Sequence, residues 1–171
     1  MGKSGMVASL AILTALIVSG LSCASSKIVP ATTEYYKIGQ YAQTSKQMLN
    51  VTSADRTTSY GRAGLKSLLV PEVDAPSGTV FIIINATVFN SGQASVHISP
   101  SYFAARDSEG RDYIPKSDYL GYYPYPNKNL APGQTATGIV IFLVPDIAAG
   151  LEVSCVVDGT PPMLAVWQLS F

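Results

Sequence analysis

Between Gly78 and Asn90 the chain reads GTVFIIINATVFN, thirteen positions without a proline and crowded with β-branched and aromatic residues. Such residues fit a pleated surface better than a helix. In a strand, successive side chains point to opposite sides. Ile82, Ile84, Ala86 and Val88 then form one apolar face, with Ile83, Asn85, Thr87 and Phe89 on the other. A strand with so apolar a face needs a second layer to cover it, which confines the chain to a packed β architecture.

The same period of two recurs between turn signals. In MLNVTS (48–53), Leu49 and Val51 face one way, Asn50 and Thr52 the other. NSGQ (90–93) reads as a turn, followed by the short strands ASVHIS and SYFAARD. DSEGRDYI (107–114) reads as a hairpin turn centred on Glu109-Gly110. APGQTATGIVIFLVP (131–145) puts Ala136, Val140, Phe142 and Val144 on one face. Ile139, Ile141 and Leu143 lie on its other face, so this strand is expected to be covered on both sides. LEVSCVVD (151–158) sends Leu151, Val153, Cys155 and Val157 inward, and MLAVWQLSF (163–171) groups Ala165, Trp167, Leu169 and Phe171. No window past Tyr35 has a helical period. The pattern predicts about seven to nine strands in an all-β, two-sheet antiparallel sandwich.

The first 22 residues differ in kind. Lys3 is followed by an apolar and small-residue run from Met6 to Val18, of signal-peptide length and short of the roughly 20 residues that span a bilayer. A signal helix over 1–22 is expected. SGLSC then resembles a lipobox, whose cysteine, here Cys23, is acylated after cleavage. Gly20 and Leu21 depart from its usual order. Ordinary cleavage after Ala24 and an uncleaved anchor remain open beside lipidation. Residues 24–34, ASSKIVPATTE, are polar and broken by Pro30, so 23–34 reads as a lipid-anchor cysteine and flexible spacer and 35–171 as the domain.

Charge argues against a nucleic-acid partner. Lys plus Arg and Asp plus Glu number 11 each, with no basic patch. The two cysteines, Cys23 and Cys155, do not make a disulfide framework.

Side chains able to do chemistry are few. His97 is the sole histidine, alternates with Val96 and Ile98, and has no GxSxG nucleophile to serve, so it reads as an exposed structural residue. Cys155 reads as a small core hydrophobe. Asp107, Glu109 and Asp112 surround Gly110 with oxygen ligands of the calcium type, but the fuller calcium-loop pattern is missing and Arg111 opposes it, so a hairpin is the simpler reading. No catalytic residue, metal site or cofactor is expected. The unusual stretch is DYLGYYPYP: Tyr119, Tyr122, Tyr123 and Tyr125, stiffened by Pro124 and Pro126. Tyrosines of this density suit a recognition loop, or rings packed over a sheet. Sequons at Asn50 and Asn85 are possible glycosylation sites, both on the outward register.

The order of motifs resembles a telokin-like, immunoglobulin-fold domain of unknown function found on secreted lipoproteins of bacteria and archaea. The resemblance rests on Asn90, Phe103, Asp107, Gly110, Tyr113, Pro132, Gly133, Phe142 and Pro145 in their order and spacing, and covers 36–171. Lys116 to Asn129 departs from it. The resemblance implies an immunoglobulin-like sandwich in the cell envelope and no activity. The expectation is an exported module, tethered to the outer face of the membrane through Cys23. It would bind an unknown envelope protein or glycan without catalysis, with a secreted protease-inhibitor-like regulator as the alternative.

Overall fold

The structure is a computed structural model that describes residues 32–60, 72–116 and 124–171. The expected signal helix, Cys23, and Tyr119, Tyr122 and Tyr123 lie outside these residues. Among the described residues no helix is long and apolar enough to cross a membrane.

Strand is nearly the only regular secondary structure among the described residues. In order come β1 (Thr32–Tyr36), β2 (Tyr41–Gln43), β3 (Gln47–Thr57), β4 (Ser59–Tyr60), β5 (Val73–Asp74), β6 (Thr79–Asn90) and β7 (Val96–Ile98). A 3-10 turn, Pro100–Tyr102, leads into β8 (Phe103–Arg106) and β9 (Asp112–Tyr113). The chain closes with β10 (Lys128–Leu130), β11 (Thr135–Pro145), β12 (Glu152–Val157) and β13 (Met163–Gln168). One sheet has the order β1-β13-β12-β8-β9, the other β11-β6-β3-β2, with two-stranded ladders β7/β10 and β4/β5 beside them. Among the described strands, each pairing is antiparallel except that of β1 with β13.

The period-two sorting holds where the expectation was strongest. Ile82, Ile84, Ala86 and Val88 of β6 and Val140, Phe142 and Val144 of β11 are buried. The facing sheet supplies Phe103, Val153, Cys155, Val157, Ala165 and Trp167. The Trp167 indole stacks on Tyr36, with ring centroids 5.6 Å apart, and its Nε1 donates to the Gln40 carbonyl at 3.3 Å. The apolar interior thus satisfies its one indole donor. Ile141 is buried on the outer face of β11, as expected for a strand covered on both sides.

Four expectations are corrected. Strand β1 begins at Thr32, inside the stretch read as spacer, because β13 offers an edge to which its backbone bonds. Phe171 is exposed, since it lies beyond the end of β13. Asn50 is buried rather than outward-exposed: the turn before β2 folds against it, with Gly39 N donating to the Val51 carbonyl at 2.8 Å and Asn50 Nδ2 donating to the Gly39 carbonyl at 3.1 Å. Tyr125 is a core residue, described below.

A bulge in β3 explains one placement that alternation alone misses. Val51 pairs with Ala86 but Ser53 with Asn85, so Thr52 is an inserted residue and the inward parity changes from odd to even. Ala54 and Arg56 thereby oppose the inward residues Ile84 and Ile82. The Arg56 guanidinium reaches the β11–β12 connection, donating to the Ala148 carbonyl at 2.9 Å and to the Asp146 carbonyl.

Candidate binding cleft at the edge of β11

Strand β11 is the edge of its sheet, and on its free side it meets Lys116, Pro124 and Tyr125. Lys116 N donates to the Ile141 carbonyl and Tyr125 N to the Ile139 carbonyl, both at 2.8 Å. Pro124 bridges Ile139 in the parallel sense. The two roots of the tyrosine-rich segment are therefore fixed to carbonyls two residues apart on one strand. An unpaired edge is a liability in a β protein, and this strap, Lys116 and Pro124–Tyr125, covers part of it.

Gly138 makes the close approach possible. A Cβ there would stand 2.6 Å from Tyr125 N and 2.7 Å from the Pro124 carbonyl oxygen, nearer than van der Waals contact allows. The Tyr125 ring enters the sandwich and meets Phe103 edge-on, with centroids 5.1 Å apart. Burial pushes its phenol pKa up, reinforced by neighbouring Cys155. Tyr125 is thus a packed anchor and not a contact residue, correcting the expectation for this one of the four tyrosines.

Between the roots lies a cleft of about 590 Å³. Pro100, Ile114, Pro126, Ile139 and Ile141 give it an apolar wall, and Lys116 is the charged residue among its described lining. The 3-10 turn on one side is capped by Ser99, whose Oγ accepts from Ser101 N at 3.3 Å and sits 2.8 Å from Ser101 Oγ. The cleft collects four segments, residues 99–101, 114–116, 124–127 and 139–141. Of its described lining, Pro124, Tyr125 and Pro126 belong to the stretch that stands out in the sequence.

The other residues singled out in the sequence fall elsewhere. His97 is exposed, its Nδ1 3.0 Å from Asn129 Oδ1 across the β7/β10 ladder, with Tyr102 against its ring. Cys155 is buried, and burial pushes its thiol pKa up, away from the reactive thiolate. Asn85 is half-buried, its Nδ2 donating to Ser53 Oγ at 3.1 Å.

Asp107 proves to be the organiser of its hairpin. Its buried carboxylate accepts from Glu109 N and Arg111 N at 3.0 Å, from Arg111 Nε at 2.6 Å and from the Tyr113 hydroxyl at 2.7 Å. Burial alone would raise its pKa. The bonds from Tyr113 and Arg111 outweigh that and hold it well below the usual carboxylate range. Asp112 pairs bidentately with Arg106 at 2.6 and 2.8 Å, and Glu109 meets Arg111 at 3.2 Å. These carboxylates are committed to the hairpin. Among the described residues no group of three His, Cys, Asp or Glu side chains is placed to hold a metal ion.

Comparison with solved structures gives the same architecture. The chain is similar to an uncharacterized β-sandwich protein from Clostridium difficile, at 20% identity and TM-score 0.59, over 81% of this chain and 95% of that one. It is similar to the secreted protein MPT63 from Mycobacterium tuberculosis, at 18% identity and TM-score 0.58, over 81% and 99%. A Bacillus subtilis protein, YcdA, described provisionally as a lipoprotein, matches at 12% identity and TM-score 0.55, over 79% of this chain and 39% of that one. No curated protein matches the chain. Residues 36–161, the greater part of the sandwich, match the model of a domain of unknown function, DUF4352, and the chain belongs to that family.

Proposed function

We propose that this protein is an exported module of the cell envelope, held to the membrane by a lipid on Cys23, that binds a partner without catalysis. The observation that carries the reading is the rooting of the tyrosine-rich segment. Lys116 and Tyr125 are fixed by backbone bonds of 2.8 Å to the Ile141 and Ile139 carbonyls, so the two ends of the segment are held at defined points on one strand. Fixed ends lower the entropy a binding segment must lose, and tyrosine combines contact area with a hydroxyl. A secreted protein and a provisional lipoprotein among the structural neighbours support export. The titratable groups at hand, Asp107, His97 and Cys155, have structural partners or are buried, which supports a non-enzymatic role. The contact would be an envelope protein or glycan. The protease-inhibitor alternative gains nothing from Pro124 and Tyr125, whose backbone lies against β11.

Two measurements test the reading. The intact mass of the protein recovered from membranes should carry a lipid on residue 23, and an unmodified chain beginning at Ser25 would overturn the tether. Replacing Tyr119, Tyr122 and Tyr123 by Ser, with Tyr125 kept, should abolish capture of the partner from envelope extracts. Undiminished capture would overturn the role of this segment.

A further inference from the structure

We propose that the cleft beside β11 binds a free fatty acid, with the acyl chain along Ile114 and Ile139 and the carboxylate paired with Lys116. The inference rests on the envelope placement proposed above only for the supply of such a ligand; the geometry stands apart from it. A volume of about 590 Å³ falls within the range of small-molecule sites. The wall is carbon from Pro100, Pro126 and the two isoleucines. Ile114, at the rim, is 71% exposed, a large apolar side chain left in water that a bound hydrocarbon would cover.

Charge selects the head group. Lys116 is the cation on the wall, and the described lining holds no carboxylate. Its backbone is pinned to the Ile141 carbonyl, so the stem starts at a fixed point and its ammonium can extend to the rim. One ammonium balances one carboxylate. A phosphate monoester, with roughly two charges, would stay under-neutralised. A hydrocarbon chain with a single anionic end therefore fits a wall that is apolar in the middle and singly basic at one side. Ser101 and Asn127, also on the wall, add neutral donors.

The test uses the full-length chain in the membrane or secreted fraction where it is found. A diazirine-bearing hexadecanoic acid is compared with the matching alkylamine, and cross-linked peptides are located by mass spectrometry. The carboxylate probe should label peptides containing 114–116 or 139–141 in excess of the peptide containing Ile147, an exposed apolar control outside the cleft. Lys116→Glu should lower the cleft labelling by the carboxylate probe about fivefold and leave the alkylamine labelling undiminished. Lys116→Gln, which keeps the backbone bond, should fall between. Labelling of the cleft no greater than at Ile147, or equal loss with both probes, would overturn the proposal. Residue 23 is read separately by intact mass. An unlipidated chain whose cleft is labelled defeats the tether alone, and a lipidated chain whose cleft is unlabelled defeats the fatty-acid site alone.

Discussion

Gly138 and Tyr125 occupy one another's space: the backbone of Tyr125 lies where a side chain on residue 138 would be. Strand β11 can accept the strap over its edge only because this position has no Cβ. The approach places the Tyr125 amide on the Ile139 carbonyl and the ring on Phe103. A glycine inside an apolar strand, otherwise an unfavourable choice, has a packing reason here.

Gly138→Ala should therefore displace the strap. The expected loss is about 1–3 kcal/mol, the usual range for overpacking a filled site. Urea unfolding would measure it, and hydrogen exchange should show the Tyr125 amide losing protection. A variant as stable as the parent would mean that the strap does not rest on β11.

Tyr125→Ala should cost more. It deletes a buried ring that meets Phe103 edge-on and leaves a cavity between the sheets. About 3–5 kcal/mol is expected from comparable aromatic truncations. Thermal or chemical denaturation checks it, and a loss under about 1 kcal/mol would return Tyr125 to the surface.

Asn90 links two turns from a fully buried position at the end of β6. Its Nδ2 donates to the Ala94 carbonyl at 2.9 Å and the Leu130 carbonyl at 2.8 Å, and its Oδ1 accepts from Gly92 N at 3.0 Å. Asn90→Leu should orphan these groups and destabilise by about 2 kcal/mol or more. The β7/β10 ladder should exchange hydrogen faster in the variant.

Acid stability should depend on Asp107. Its folded pKa is held below the ordinary value, so the folded state favours the ionised form. The stabilisation is complete above the unfolded pKa of about 4 and is lost as pH falls toward the folded one. Asp107→Asn should be less stable at neutral pH and show a shallower loss on acidification. Denaturant midpoints across this range measure both, and parallel acid limbs in parent and variant would contradict the assignment.

Alkaline stability should carry the opposite sign for Tyr36. Burial, with the hydrogen bond its hydroxyl donates to Glu34 at 2.7 Å, raises its pKa to about 12. The fold holds that proton more firmly than the unfolded chain does. Its contribution is present below about 10 and disappears as pH rises toward the folded value. Tyr36→Phe should flatten this part of the profile, and ultraviolet titration should find one late-ionising phenol fewer.

Much of this architecture was legible in the residues because side-chain alternation is a local property. The inward sets of β6, β11 and β12, the burial of Cys155 and the Gly110 hairpin follow from spacing and turn chemistry within each stretch. What the sequence could not decide is what lies over each surface. Asn50 and Asn85 share the outward register, yet the turn at Gly39 closes on the first and the second stays half-buried. Thr32–Tyr36 forms a strand because β13, about 130 residues away in the chain, supplies its hydrogen bonds. The Thr52 bulge reverses parity by one inserted residue, invisible to a period of two. The cleft beside β11 belongs to the same class. Its walls come from segments near residues 100, 115, 125 and 140, and the segment near 125 reaches β11 because Gly138 leaves room for its backbone.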